Sequence, residues 1–253
     1  MAYRWIVMLS AIITTTLLAC SQYGASNFQT SQIGARAARI TEYVGSNMAV
    51  SIPQRIRGLS VSHVGERAFQ NRNLNSVTIP ASVVHIGNFS FAGNQLTYVT
   101  IPDSVNHLGV AAFHNNRLTS ITIPDSVIYI GEWAFSVNEL ASVTIPNNIN
   151  QIICAAFRHN RLTSVVIPDS VTFIGFGAFE YNLLTSVVIP NSVTQIQSWA
   201  FRENQLTSIT IGANVVLGAE VFDNGFEEVY NNNGRLAGTY TRPDVNSIVW
   251  TRQ

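Results

Sequence analysis

Apolar residues recur along most of this chain in a fixed order, with a period of 22 residues. The dipeptide Ile-Pro begins at Ile79, Ile101, Ile123, Ile145, Ile167 and Ile189, and Ile211 keeps the register with Gly212 in place of proline. Phe69, Phe91, Phe113, Phe135, Phe157, Phe179 and Phe201 recur at the same period, as do Leu74, Leu96, Leu118, Leu140, Leu162, Leu184 and Leu206. A period held this long describes a stack of like coils, each burying its apolar face against the next.

Within one coil, Leu118 to Pro124 alternates apolar and polar residues, the pattern of a half-buried strand. Ile121 and Ile123 are expected to face the core, with Ser120 and Thr122 outward. Pro124 lacks an N–H and closes the strand, and Asp125-Ser126 turns the chain. Val127 and Ile130 return to the core, Gly131 permits a tight bend, and Ala134-Phe135 supplies a second apolar segment. Asn94, Asn116, Asn138, Asn160, Asn182 and Asn204 form a column whose amides can bond the backbone of each bend. If neighbouring strands pair in parallel, the coils stack about 4.8 Å apart.

The pattern Leu-x-x-Val/Ile-x-Ile-Pro-x-Ser-Val-x-x-Ile-Gly-x-x-Ala-Phe-x-x-Asn resembles the BspA-like, or Treponema-type, leucine-rich repeat, from roughly Ile40 to Leu217. The resemblance implies a right-handed solenoid with a parallel sheet on one face and an irregular or 3-10 convex side. It also implies a bacterial surface or periplasmic protein, some relatives being adhesins.

Outside the array the pattern changes. Ile40 to Gly45 and Val50 to Pro53 read as an opening strand pair, and the 27-residue interval from Ile52 to Ile79 places five extra residues around Gln54 to Leu59. After Leu217, segments Phe226 to Tyr230, Arg235 to Thr241 and Ser247 to Trp250 read as short strands about an Asn-Gly turn, shielding the last coil and its sheet edge. The expected organisation is a signal segment over 1–19, a tether over 20–39, an N-terminal cap and first coil over 40–68, the solenoid over 69–217 and a C-terminal cap over 218–253.

The first residues change the picture of location. Arg4 precedes an apolar stretch from Trp5 to Ala19, too short for a spanning helix of about 20 residues. It ends at Leu17-Leu18-Ala19-Cys20, which resembles the lipobox of bacterial lipoproteins, in which the cysteine thiol is acylated and the signal is cut before it. Cys20 is therefore expected to carry the lipid anchor. Ser21 is not the aspartate that retains some lipoproteins at the inner membrane, so the expected location is the outer membrane, surface-exposed or periplasm-facing. The other cysteine, Cys154, then has no intramolecular partner.

Composition narrows the function classes. Charged residues make up 11% of the chain, against roughly 25% in typical soluble domains. The 14 basic residues, all arginine, balance 14 acidic ones, so the basic footprint of a nucleic-acid binder is missing. Gly-x-Ser-x-Gly, a glycine-rich phosphate loop and His-Glu-x-x-His are all absent from the sequence. No enzyme activity and no cofactor are expected.

Residues identical in every coil serve the stack, so candidate binding residues are those that break the pattern. Tyr98 interrupts a column of outward serines. Arg117, Arg158, His159, Arg161, Tyr181 and Arg202 cluster just after the phenylalanines, where arginine and tyrosine suit a protein interface and equally suit a solvated edge of cross-coil ion pairs. Trp133 and Trp199 occupy equivalent positions and are expected to pack on the convex side. His63, His85 and His107 should stack on successive coils, but three in a line span about 10 Å and cannot share one ion, so no metal site is expected. The resulting expectation is a lipid-anchored protein binding a protein partner, and the resemblance to the adhesins implies a partner on a host or bacterial surface. The alternative is a periplasm-facing scaffold.

Overall fold

The structure is a computed structural model that describes residues 25–223 and 225–253. The signal segment and Cys20 lie outside the described residues. The chain winds into a solenoid of about eight turns, and its two parallel strand ladders follow directly from the repeat. The first ladder holds the Ser-x-Thr strands. After the N-terminal β1 (Phe28–Ile33) and β2 (Ala37–Tyr43), β3 (Ala49–Ser51) pairs in parallel with β6 (Ser76–Thr78), which follows β4 (Arg55–Ile56) and β5 (Leu59–Val64). Farther on, β9 (Ser120–Thr122) pairs with β11 (Ser142–Thr144), and β14 (Ser186–Val188) with β16 (Ser208–Ile211). In β9, Ile121 is buried between exposed Ser120 and Thr122, as alternation requires.

From β7 onward the second ladder is made of strands only two residues long, which the sequence pattern did not resolve. It runs β2, β5, β7 (His85–Ile86), β8 (His107–Leu108) and β10 (Tyr129–Ile130), then resumes as β12 (Gln151–Ile152), β13 (Phe173–Ile174), β15 (Gln195–Ile196) and β17 (Val216–Leu217). Close approach here depends on the glycine after each strand. A Cβ on Gly131 would stand 2.4–2.5 Å from the backbone of Gly109 and Val110. The amide of that glycine donates to the coil before, as Gly131 N–H does to the Leu108 carbonyl at 2.7 Å. Ile153, β-branched, replaces glycine at the junction where the ladder breaks between β10 and β12. Gln197, unbranched at Cβ, keeps its bond to the Ile174 carbonyl at 2.8 Å.

Inside, the phenylalanine column forms a continuous ring stack. From Phe69 to Phe222 successive centroids lie 5.0–5.7 Å apart with planes within 18°, and these rings are fully or almost fully buried. The asparagine column beside it bonds as expected. Asn138 Oδ1 accepts from the Leu118 N–H at 3.0 Å, while its Nδ2 donates to the Phe113 and Phe135 carbonyls at 3.0 and 3.1 Å. Each amide thus ties one coil to its predecessor, satisfying buried backbone groups that no ladder reaches.

Both ends differ from the sequence reading. Residues 20–39 were expected to be a tether, yet β1 and β2 form an antiparallel hairpin from Phe28 to Tyr43 that extends the second ladder. The segments from Ile40 and from Val50 do not pair with one another: β2 joins β5 and β3 joins β6. The extra residues do lie at 54–59, where β4 folds back on β5 through Arg57 and Gly58, both at positive φ. At the far end, Phe226 to Tyr230 is helical rather than extended. Helix α1 (Phe226–Asn232) places Phe226 and Tyr230 four residues apart on its buried face. There they meet Tyr240 and Trp250 edge-on or nearly so, and Phe222, last ring of the stack, meets Phe226 at 4.9 Å. Strand β18 (Gly238–Thr241) then covers β16 antiparallel, with β19 (Thr251–Arg252) beyond it. No helix among the described residues is long and apolar enough to cross a membrane.

Candidate functional site

Each coil needs two bends around its phenylalanine, and both bends use left-handed backbone. Two residues before the phenylalanine, positive φ falls on Arg67, Phe89, Ala111, Trp133, Ala155, Gly177, Trp199 and Glu220; two residues after it, on Asn71, Gly93, Asn115, Val137, His159, Tyr181 and Glu203. Glycine or asparagine relieves this geometry, whereas a bulky side chain there costs on the order of 1–3 kcal/mol. Tryptophan, tyrosine, histidine and valine therefore stand where cheaper residues occur in sister coils.

Several of these strained residues and the arginines beside them form one ordered cluster. The Arg158 guanidinium lies 5.7 Å from the Trp133 ring and 5.5 Å from the Tyr181 ring. Its Nε donates to Glu180 Oε2 at 2.5 Å, and the Glu180 side chain is only 1% exposed. Across the same coils His159 stacks on Tyr181 at 4.3 Å with planes 5° apart. Burial and the adjacent Arg158 lower the His159 pKa, with Glu180 opposing, so the imidazole is neutral at neutral pH. Farther along, Arg202 lies over Trp199 at 5.2 Å and reaches Glu220 at 3.5 Å, and Phe176 packs on Trp199 at 4.8 Å. Arg158, His159, Tyr181 and Arg202 thus share one edge of the solenoid, and Trp133 and Trp199 are half-buried under the arginines.

Other candidates separate from this group. Arg161 bonds Glu139 of the preceding coil at 3.1 Å rather than Glu180. Arg117 is exposed, on the same bend two coils before Arg161. Tyr98 belongs to the serine–threonine face instead, 63% exposed, its hydroxyl accepting from Thr100 Oγ1 at 3.1 Å. It borders a depression of about 530 Å³ whose walls include Asp103, Ser120, Thr122 and Asp125. Along this face Val166 and Val188 replace the usual outward threonine and are 80% and 62% exposed. Sequence reasoning passed over them, although the broken threonine column was the signal.

The histidine column stacks as its spacing requires. His63 and His85 lie 5.3 Å apart, His85 and His107 4.3 Å, and Tyr129 continues the stack at 4.6 Å. Burial, with His107, His63 and Arg39 nearby, lowers the His85 pKa to about 4. Arg39, from the segment read as a tether, therefore sets a positive charge beside these rings. No group of three or more metal-ligating side chains occurs among the described residues. At Cys154 burial and Glu132 raise the thiol pKa, opposed by Arg158, the reverse of an activated thiolate.

Comparison with known proteins agrees with this architecture. No curated protein matches the chain in sequence. Among solved structures, a leucine-rich cell surface protein from Faecalibacterium prausnitzii A2-165 shares 25% identity at a TM-score of 0.52, covering 78% of this chain and 72% of that one. A leucine-rich repeat protein from Bacteroides ovatus shares 21% identity at a TM-score of 0.54, covering 78% and 67%. One from T. pallidum shares 24% at a TM-score of 0.50, covering 60% and 84%. These last two are likenesses of fold. The sequence profile of the BspA type leucine-rich repeat region matches in six copies over residues 62–184 and 151–229. With that profile spanning most of the coils just described, the chain belongs to the BspA-type leucine-rich-repeat family.

Proposed function

We propose that this chain is a lipid-anchored protein of the bacterial cell envelope that binds a protein partner through the solenoid edge carrying Arg158, His159, Tyr181 and Arg202. One observation carries the reading. Arg158 is fixed between Trp133 and Tyr181 by a buried carboxylate, on bends where Trp133, His159 and Tyr181 occupy left-handed backbone. Side chains ordered in advance lose less conformational entropy on binding, and tyrosine, tryptophan and arginine dominate interface energetics. The coils supply a rigid frame, and the reading assigns the chain no catalytic step and no cofactor.

The anchor rests on Cys20 after Leu17-Leu18-Ala19, and outward display is supported by similarity to the F. prausnitzii cell surface protein. Adhesion to a host or to other bacteria is the outward form of this function. The test of display is protease treatment of intact cells beside a lysed control. Rapid loss on intact cells is expected. Protection until lysis would sink the surface reading in favour of a scaffold facing the periplasm.

A further inference from the structure

Arg67 lies over the Phe89 ring at 5.6 Å, and Arg158 lies over the Trp133 ring at 5.7 Å. Phe89 and Trp133 hold the same bend position two coils apart, and the coil between them carries only Ala111 there. The two arginines come from the coil before Phe89 and the coil after Trp133, so each stands on its ring's outer side. The inner sides face one another across Ala111. Two coils span roughly 10 Å, and one ring in van der Waals contact at about 3.5–4.0 Å on each side needs roughly 7–8 Å. The gap therefore takes one aromatic ring and not two.

The gap is a cavity of about 250 Å³ lined by Phe89, Val110, Ala111, His114 and Trp133. His114 meets Trp133 edge-on at 6.3 Å. Burial lowers the His114 pKa, opposed by a hydrogen bond to the Ser136 carbonyl, so a neutral ring closes this side of the slot.

We propose that this slot receives one aromatic side chain of the protein partner, a tryptophan or tyrosine whose ring fills the place left by Ala111 between Phe89 and Trp133 and whose N–H or O–H stays at the open mouth of the slot. The proposal rests on the protein-binding reading above and is continuous with that surface, because Trp133 is a wall of the slot on one side and the seat of Arg158 on the other. An aliphatic side chain fits less well, since it cannot stack on two rings.

The test is a titration of the soluble chain, residues 21–253, with N-acetyl-tryptophanamide, followed by NMR at the His114 imidazole and the Trp133 indole N–H. Both resonances should shift saturably, and N-acetyl-leucinamide should bind at least ten-fold more weakly. Ala111→Phe should abolish the response, since its own ring fills the slot and Phe89 shows that this bend accepts phenylalanine. Should that variant not fold, Phe89→Ala removes one wall and should weaken binding at least ten-fold. No saturable shift up to the solubility of the probe, or an equal response from the leucine probe or in Ala111→Phe, would overturn the proposal. The isolated probe reads the slot alone, so its failure leaves the Arg158–Tyr181 surface standing. Failure of that surface to contact a partner would likewise leave ring binding intact.

Discussion

Removing one amide from the asparagine column is a sharp test of what holds the coils together. In Asn138→Ala four hydrogen bonds disappear, the longest at 3.4 Å to the Ser136 carbonyl, but their consequences differ. The Phe113 carbonyl keeps Asn116 Nδ2 at 3.1 Å, and the Phe135 carbonyl keeps Asn160 Nδ2 at 3.0 Å. The Leu118 N–H, bonded only to Asn138 Oδ1 at 3.0 Å, is left buried and unpaired. That orphan costs about 1–3 kcal/mol and each of the two shorter lost donor bonds, whose carbonyls keep a second partner, about 0.5 kcal/mol, so a loss of about 2–4 kcal/mol is expected. With a urea slope of about 2 kcal/mol/M, the midpoint should fall by about 1–2 M. Asn138→Asp should cost at least as much at neutral pH, because it retains the acceptor but sets a carboxylate against two carbonyls. The assay is urea unfolding followed by circular dichroism, with the exposed Asn147→Ala as control. If Asn138→Ala fell within about 0.5 kcal/mol of that control, the column would not be what joins the coils.

Other perturbations probe different parts of the account. The folded pKa of His85, about 4, lies below the ordinary 6.5, so the unfolded chain takes up the proton first. Stability should be full above about pH 6.5 and fall toward pH 4, by about 1–2 kcal/mol for this half-exposed ring. His85→Gln, the residue its column carries at Gln151 and Gln195, should flatten that dependence in thermal melts. Arg158→Ala leaves the buried Glu180 carboxylate without its cation and should cost about 2–4 kcal/mol by urea unfolding, more than Glu180→Gln. Gly131→Ala drives a Cβ to within 2.5 Å of the Gly109 backbone and should lower stability by about 2–3 kcal/mol in thermal melts, since neither coil can give way.

The repeat was legible because each buried column repeats one residue type. Ile121, Phe135, Leu140 and Asn138 all lie where the 22-residue period and the alternation put them. Elements stabilised by single contacts were not. The two-residue strands of the second ladder are too short for alternation to show, and only the glycine after each strand hints at close approach. The hairpin of residues 28–43 mixes Gln, Thr, Ser and Arg with few apolar residues, because β1 is an edge strand that buries only Phe28. Helix α1 carries Phe226 and Tyr230 four residues apart, a helical spacing overlooked beside the Asn-Gly turn. At the candidate edge the sequence brought Arg158, His159 and Tyr181 together correctly. It did not show that Arg161 turns to Glu139, that Glu180 is buried, or that Phe89 and Trp133 face each other across Ala111. Those facts depend on the direction each side chain takes from a left-handed bend.

The central claim is that the edge carrying Arg158 and Tyr181 contacts a protein partner. The most direct measurement places a genetically encoded photocrosslinker at Tyr181 and, separately, at the exposed Ser164 of the serine–threonine face, in living cells. The account predicts a discrete protein adduct from position 181 that is lost with Arg202→Ala, and none from position 164. An adduct from 164 alone, or none from 181, would contradict it.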